Sequence, residues 1–243
     1  VPFSAMPECG PPPMEKLVYL LWRDASESAD MFARRLVGSA GPKLVGAGAR
    51  SVTVNAADAR ADLGKTVPIR SSAPEFAGLV SFWLGCVDDR PAYEPILRES
   101  AARVAGYLVT ESVPRDFGAR SWPDGVRSPG VKLISAFEQP TRLTREEFIA
   151  RWHGSHTPLS LEIHPLWRYV RNVVARPLTA GAPNFAGIVE EHVRELADLT
   201  DPARFYGGKE HMAANMRRVL DDARSFLDLE RVASVVASET ILS

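Results

Sequence analysis

The sequence predicts an α+β protein made of two tandem βαββαβ modules. Short apolar runs of strand length alternate with helical patterns, the order of these elements is the same in both halves, and several groups of residues recur in that order. We assign the modules to residues 15–113 and 131–243. Residues 114–130, rich in Pro, Gly, Arg and Ser, are the predicted linker between them.

The first half contains four strand patterns and two helical patterns. Apolar runs predict strands at Lys16–Trp22 and Phe76–Val87, and β-branched residues predict them at Arg50–Ala56 and Arg103–Glu111. Asp30–Leu44 has inward-facing apolar residues at helical spacing, and Pro91 suits the first turn of a second helix that ends near Ser100. A polar connection with Gly64 and Pro68 joins the second and third strands.

The second half contains the clearest helical signal. Thr144 and Glu147 have the spacing of a capping box, so a helix is expected to begin near Thr144. Phe148, Trp152 and His156 follow at i, i+4 and i+8 on one face of this helix. Pro158 is expected to kink or end the helix just after His156, because proline lacks an N–H.

The two halves share an internal repeat. Lys16-Leu17 matches Lys132-Leu133, and Phe76–Val80 matches Phe185–Val189. The other matches are Phe32, Arg35, Gly38, Ser39 and Pro42 with Phe148, Arg151, Gly154, Ser155 and Pro158, and Arg103-Val104-Ala105 and Glu111 with Arg231-Val232-Ala233 and Glu239. Convergent patterning would not reproduce glycines, a proline and charged residues at matching places, so we interpret the halves as duplicates.

A βαββαβ unit forms a four-stranded antiparallel sheet with both helices on one face, the ferredoxin-like arrangement. The other face of each sheet is apolar and needs a cover. Two copies in one chain can cover each other around a shared interior, which is the packing that we expect here.

Composition limits the classes of partner and location. The 243 residues are 45% apolar and 24% charged, and the net charge of −1 gives no basic patch for nucleic acid. Cys9 and Cys86 suit neither a disulfide framework nor a metal motif, which favours the cytoplasm. No apolar run reaches the roughly 18 residues of a membrane span, and residues 1–14 are interpreted as a flexible tail or as residues added by cloning.

Titratable groups are distributed unequally between the halves. All five histidines, at positions 153, 156, 164, 192 and 211, lie in the second half. The repeat places Ala40, Leu36, Ser51 and Trp83 of the first half opposite His156, Trp152, Tyr169 and His192 of the second. We interpret the second module as the functional one and the first as structural. The alternative is drift in one copy, with a site in neither.

The second half resembles the EthD domain. The resemblance rests on Phe148, Trp152, His156, Pro158 and Leu159, on Arg168-Tyr169-Val170 with Asn172-Val173, on Phe185-Ala186-Gly187 and on FLDLERV at 226–232. Thr157 departs from the pattern, since the family more often has Gly or Ala there. The resemblance covers 131–242 and implies the dimeric α/β-barrel superfamily, here as an intramolecular barrel of two fused modules. Similar barrels serve as polyketide cyclases, dehydratases, isomerases, cofactor-free monooxygenases and haem-binding enzymes.

The favoured hypothesis is a cofactor-free enzyme of the cyclase, dehydratase or isomerase type, acting on a hydrophobic aromatic or polyketide-like carbonyl compound. His156 would be the general acid or base, and Tyr169 would bind a carbonyl or enolate oxygen. Substrate-binding roles are predicted for a further set of residues: Phe148, Trp152, Trp167, Asn172 and His192. Tyr169 and Asn172 lie three apart on a strand and so point to opposite faces. At most one of them is therefore expected to contact the substrate, and we favour Tyr169.

Other interpretations stay open. Glu190 and His192 alternate on one strand face, as a catalytic or a structural pair. A metal site of His153, His156, Glu162 and His164 is disfavoured, because the spacing differs from HExxH and His153 is expected to face solvent. A binding barrel for a small molecule or haem, without catalysis, is the main alternative function. Association of two fused chains into a homodimer also remains open.

Overall fold

The computed structural model describes residues 14–59 and 76–242. The strands are β1 (Glu15–Trp22), β2 (Arg50–Ala56), β3 (Gly78–Leu84), β4 (Arg103–Arg115), β5 (Val131–Phe137), β6 (Leu166–Pro177), β7 (Gly187–Val193) and β8 (Ala233–Ile241). The helices are α1 (Ala29–Arg35), α2 (Gly41–Gly46), α3 (Glu94–Arg98), α4 (Arg145–Arg151), α5 (Thr157–Ile163), α6 (Ala197–Thr200), α7 (Pro202–Phe205) and α8 (Met212–Phe226). The predicted tail at 1–13 and the connection with Gly64 and Pro68 lie outside the described residues.

The eight strands form one closed antiparallel barrel in the order β1-β3-β2-β8-β5-β7-β6-β4. Each half contributes four consecutive strands of this ring. Antiparallel pairing of β2 with β8 and of β4 with β6 joins the halves. The predicted α+β class and barrel are confirmed, whereas the origin of the halves as two ferredoxin-like copies remains a prediction.

Alternation along each strand separates two environments. In β1, Leu17 and Tyr19 pack in a core of the first half that includes Phe32 of α1, whereas Val18 and Leu20 point into the barrel. A second core of this kind, including Phe148 and Phe226, lies outside the second half of the barrel. The side chains outside the barrel therefore form one core for each half, and the inward side chains form a shared core.

The helical stretch around His156 differs from the prediction at Pro158. The capping box of Thr144 and Glu147 is present, and α4 follows it. A π-helical turn, Trp152–His156, then leads directly into α5, so Pro158 does not end the helix. A π turn shifts the hydrogen bonding by one residue, which accommodates a proline that cannot donate. The first half has a matching π turn, Leu36–Ala40, before Pro42.

The barrel interior also contains a buried polar network. Lys16 forms an ion pair with Glu111 in the first half, and Lys132 forms one with Glu239 in the second. Burial opposes the charge of Lys132, but Glu239 and Glu190 outweigh it and raise its pKa. The sequence repeat matched Lys16 to Lys132 and Glu111 to Glu239, and the two ion pairs occupy corresponding strands.

The linker and the membrane prediction can be compared with the described residues. β4 extends to Arg115, beyond the predicted module boundary at 113. In the linker, Trp122 donates to Ser128, whose hydroxyl donates to Glu239 of the barrel interior.

Among residues 14–59 and 76–242, no helix has both the length and the apolar character of a membrane span.

Candidate active site

A cavity of about 360 Å³ lies outside the barrel in the second half, between the sheet and the helices. Its size is within the range of small-molecule sites, roughly 300–1,000 Å³. Most of its lining is aromatic or aliphatic. The polar or titratable residues of the lining are Ser135, His156, His164, Tyr169, Tyr206, Glu191 and Glu230.

Differences between the repeats explain why space is available here. By the register of the repeat, Ser135 corresponds to Tyr19 and Glu191 corresponds to Phe82. In the first half, the rings of Tyr19 and Phe82 stack with centroids 5.5 Å apart and occupy the region between sheet and helices. In the second half, a small serine and a carboxylate replace them. Loss of two large rings opens a cavity.

His156 lies in the cavity wall next to a carboxylate. Its Nδ1 atom is 2.8 Å from Oδ2 of Asp222 in α8, and both side chains are largely buried, with 17% and 15% exposure. Burial raises the pKa of Asp222, but hydrogen bonds from His156 and Ser155 outweigh it, so the pKa lies below its usual value. An ionised carboxylate only accepts, so Nδ1 carries a proton, and in the neutral form of the ring the lone pair of Nε2 is then available to accept one.

Glu191 is a second titratable group of the cavity. It lies on β7, directly across from Tyr169 of β6 and from Leu133 of β5. Burial raises the pKa of Glu191 to about 7, and the charge of His156 lowers it to a smaller extent. Within the described part of the chain, no hydrogen bond or ion pair to its carboxyl group is seen. Glu191 is therefore a carboxyl group with a pKa near neutrality at the wall of a largely apolar cavity.

Tyr169 reaches the cavity, but its hydroxyl already has protein neighbours. Burial and the charge of Glu191 raise the pKa of Tyr169 well above its ordinary value, and hydrogen bonding by Thr157 and Trp152 only partly opposes this. Thr157 also donates to the carbonyl of Trp152 and accepts from Arg171. The threonine that departs from the EthD pattern thus ties Tyr169 to the π turn.

The structure places four of the predicted substrate-binding residues away from this cavity. Phe148 is fully buried behind Trp152, their ring centroids being 5.8 Å apart. Trp167 packs instead against Phe117, with centroids 4.7 Å apart. Asn172 and His192 point into the barrel because of strand alternation. Of the predicted site residues, His156, Tyr169 and Trp152 line the cavity.

The predicted pairing of Glu190 and His192 also needs correction. Both side chains face the barrel interior, but Glu190 pairs with Lys132 at 2.6 Å. His192 instead contacts the carbonyl oxygen of Pro129 at 2.7 Å, so its Nε2 is the donor. Burial lowers the pKa of His192 to about 4. The two residues therefore have separate structural partners.

Two further histidines differ from the sequence interpretation. His153 is half-buried rather than exposed: its Nε2 atom has no hydrogen bond among the described residues, and desolvation lowers the pKa of His153 to about 4. His164 lines the cavity, stacks on Phe205 and has Nδ1 bonded to the carbonyl of that residue. Within 14–59 and 76–242, no cluster of three or more His, Cys, Asp or Glu side chains suits a metal ion.

Sequence reasoning missed Asp222 and Glu191. Asp222 lies 66 residues from His156, and no local spacing connects them. Glu191 had a usable signal, because the repeat aligns it with Phe82 of the first half. A carboxylate at a position where the partner module buries a phenyl ring indicates a polar group inside an apolar region.

The chain is similar to one domain family and to several solved structures. Residues 140–230 match the EthD domain family. The structure of an anthrone oxidase-like protein is 12% identical, with a TM-score of 0.54 over 95% of this chain and 92% of that one. Chlorite dismutase from Candidatus Nitrospira defluvii in complex with imidazole is 9% identical, with a TM-score of 0.45 over 93% and 91%. No curated protein matches the chain.

Proposed function

We propose, from the match of residues 140–230 to the EthD domain family, that this chain is a cofactor-independent enzyme that moves protons on a hydrophobic aromatic or polyketide-like carbonyl compound. The observation that carries the proposal is the His156–Asp222 pair in the wall of a largely apolar cavity. The reaction types that this chemistry suits are cyclisation, dehydration and isomerisation through an enol. The first half acts as the structural partner that closes the barrel.

His156 is the general base in this proposal. Its Nδ1–H is held by Asp222, so Nε2 can take a proton from a carbon next to a carbonyl group. Asp222 stabilises the imidazolium that forms and fixes the orientation of the ring. The π turn that carries His156 and the helix that carries Asp222 therefore have to stay in register for catalysis.

The cavity lining supports an uncharged, ring-containing substrate. Trp152, Phe226 and Phe137 form much of the wall, and such rings bind flat apolar molecules. No lysine or arginine is part of the lining within the described residues, whereas Glu191 and Glu230 are. A carboxylate substrate would therefore lack a counter-charge.

Hydrogen–deuterium exchange tests the proposal. Anthrone, 2-tetralone and 2-acetonaphthone are incubated with the protein in D₂O, and exchange next to the carbonyl group is followed by NMR. We expect exchange above the buffer rate with at least one compound. In H156Q, the rate should fall by about a hundredfold or more while the compound still binds. Exchange at the buffer rate with all three, or undiminished exchange in H156Q, contradicts the proposal.

A haem-binding function is the second candidate, and one observation favours it. Metal-bound histidines usually donate their other ring N–H to a carboxylate, as His156 does to Asp222. The lining does not fit haem, because within the described residues it offers no lysine or arginine to the haem propionates and includes the carboxyl group of Glu191. We therefore derive no step through haem. Absorbance in the Soret region after haem titration distinguishes the candidates. An intense band in the wild type that is lost in H156Q would show haem binding and contradict the proposed function.

A further inference from the structure

We propose that Glu191 binds the carbonyl oxygen of the substrate as a neutral carboxylic acid and gives that oxygen its proton when His156 removes a proton from carbon. The inference rests on the proposed function and assigns it a second catalytic residue. It also names the substrate class more narrowly, as uncharged aromatic ketones or aldehydes with an acidic C–H next to the carbonyl.

The position of Glu191 is the first argument. β7 projects it from the sheet towards the helices, into the wall that also contains His156. The two groups are close enough for the charge of His156 to affect the pKa of Glu191. A flat substrate between the sheet and the π turn would therefore meet a base on one side and a carboxyl group on the other.

The lack of partners is the second argument. The fully buried glutamates of the second half each have a cation and a further donor: Glu190 has Lys132 and Asn172, and Glu239 has Lys132 and Ser128. For Glu191, the described residues provide no such contact. A carboxyl group in this setting is most stable when neutral, and its O–H is then a donor that lacks an acceptor. A carbonyl oxygen of a ligand would supply it.

The competing donor is Tyr169, and it is less suited to the role. Thr157 and Trp152 lie close enough to its hydroxyl to lower the pKa of Tyr169, so a substrate oxygen would compete with these groups for it. Its pKa is raised further from neutrality, whereas the pKa of Glu191 is about 7, which suits proton donation at neutral pH. Tyr169 instead flanks Glu191 across the strand pair and forms part of the apolar wall.

The proposed step balances without an oxidant or a reductant. Nε2 of His156 takes the proton of the C–H group, and the electron pair of that bond forms the C=C bond of the enol. The π electrons of the carbonyl group move to oxygen, which takes the proton of Glu191. The products are an enol, an imidazolium and a carboxylate, and the two charges attract each other. Return of the proton from His156 to a different carbon of the enol, with return of the oxygen proton to Glu191, completes an isomerisation.

Several titratable groups face Glu191 and have to be controlled in a pH experiment. They come from the π turn, the residue after α5, β6, the segment after α7, and the turn before β8: His156, His164, Tyr169, Tyr206 and Glu230. Asp222 of α8 acts through His156. Of these, His156 is the one whose charge affects the pKa of Glu191, in the lowering direction.

Calorimetry with three matched probes tests the inference: 2-acetonaphthone, the hydrocarbon 2-ethylnaphthalene and the anion 2-naphthoate. At pH 6, we expect the ketone to bind about tenfold more tightly than the other two, and the advantage over the hydrocarbon to disappear at pH 9. Titrations at pH 8 in buffers of different ionisation enthalpy should show proton uptake on ketone binding.

Variants identify the group responsible. E191Q should bind the ketone with pH-independent affinity and without proton uptake, since its amide can donate but cannot titrate. H156Q should keep the uptake, because the carboxyl group of Glu191 is unchanged in this variant. Uptake that persists in E191Q, no uptake in the wild type, or equal affinity for 2-naphthoate overturns the inference. If the wild-type protein takes up a proton on binding the ketone but does not catalyse deuterium exchange, the proposed function is contradicted and the inference about Glu191 is not.

Discussion

His156 and Asp222 are joined by a hydrogen bond of 2.8 Å between Nδ1 and Oδ2, which links the π turn to α8 in the wall of the cavity. Ser155 donates to the same carboxylate, so consecutive residues of the π turn share one acceptor. A regular α-helical phase at this point would place the two side chains differently. The irregular turn and the ionised carboxylate therefore act together to orient the imidazole.

Asp222→Asn is expected to lower the rate of proton exchange by about a hundredfold or more, because an amide can hold the wrong tautomer of His156. Binding of 2-acetonaphthone should change little, since the substitution keeps the shape of the side chain. Deuterium exchange and calorimetry measure the two effects. Asp221→Asn is the matched control, because Asp221 is 67% exposed and its ion pair among the described residues is with Arg224. Equal losses in both variants would contradict a role for Asp222.

His192 should make stability depend on pH. Burial lowers the pKa of His192 to about 4, below its ordinary 6.5. Between these values the unfolded chain binds a proton that the folded chain does not, so the free energy of unfolding falls as pH decreases from about 6.5 to about 4. Protonation of this one group changes the free energy of unfolding by at most about 1.4 kcal/mol per pH unit. In H192Q, the slope should be smaller by about 1 kcal/mol per pH unit.

Urea unfolding at pH 5, 6, 7 and 8 measures this slope. H211Q is the control, since His211 is exposed at the start of α8. The same slope in H192Q as in wild type would show that His192 is protonated in both states or in neither.

Lys132→Met should destabilise the protein by about 3–5 kcal/mol, because it leaves Glu190 and Glu239 buried without their shared cation. Lys43→Met is the comparison: Lys43 is 56% exposed and pairs with Glu99 at 3.5 Å. Its cost should be under about 0.5 kcal/mol. Chemical denaturation measures both. Adding E190Q and E239Q to K132M should recover part of the loss, and no recovery would contradict an electrostatic origin.

Gly187→Ala should cost about 1–3 kcal/mol, because a Cβ there would lie 2.6 Å from Cε2 of Phe137 and 2.7 Å from Cη2 of Trp152. Displacement of Trp152 should also weaken ligand binding at the cavity. Gly38→Ala is the control, since a Cβ there meets nothing within 4 Å. Thermal unfolding and calorimetry report the two effects. Unchanged stability in G187A would mean that the rings can move aside.

The sequence predicted features that depend on local spacing or on the repeat. Thr144 and Glu147 identified the start of α4 because capping involves residues three apart. Matching of Lys16 with Lys132 anticipated two corresponding strands, although it did not show that both lysines are buried. The position of His156 and Trp152 in one wall also followed from helical spacing.

The remainder depends on tertiary packing. Strand alternation showed that Glu190 and His192 share a face, but it could not show that the cavity lies on the opposite face with Glu191. Trp167 was predicted to bind the substrate, whereas its packing against Phe117 of the linker places it away from the cavity. Asp222 approaches His156 only because α8 packs on the π turn.

The closed ring of strands has a consequence for the two halves as separate pieces. The edge strands of each half are covered only by the other half, through pairing of β2 with β8 and of β4 with β6. A gene split within the linker would yield fragments with two open edges each, and such edges associate readily. Fragment complementation, in which the first half restores the cavity of the second, is thus the behaviour that this architecture favours.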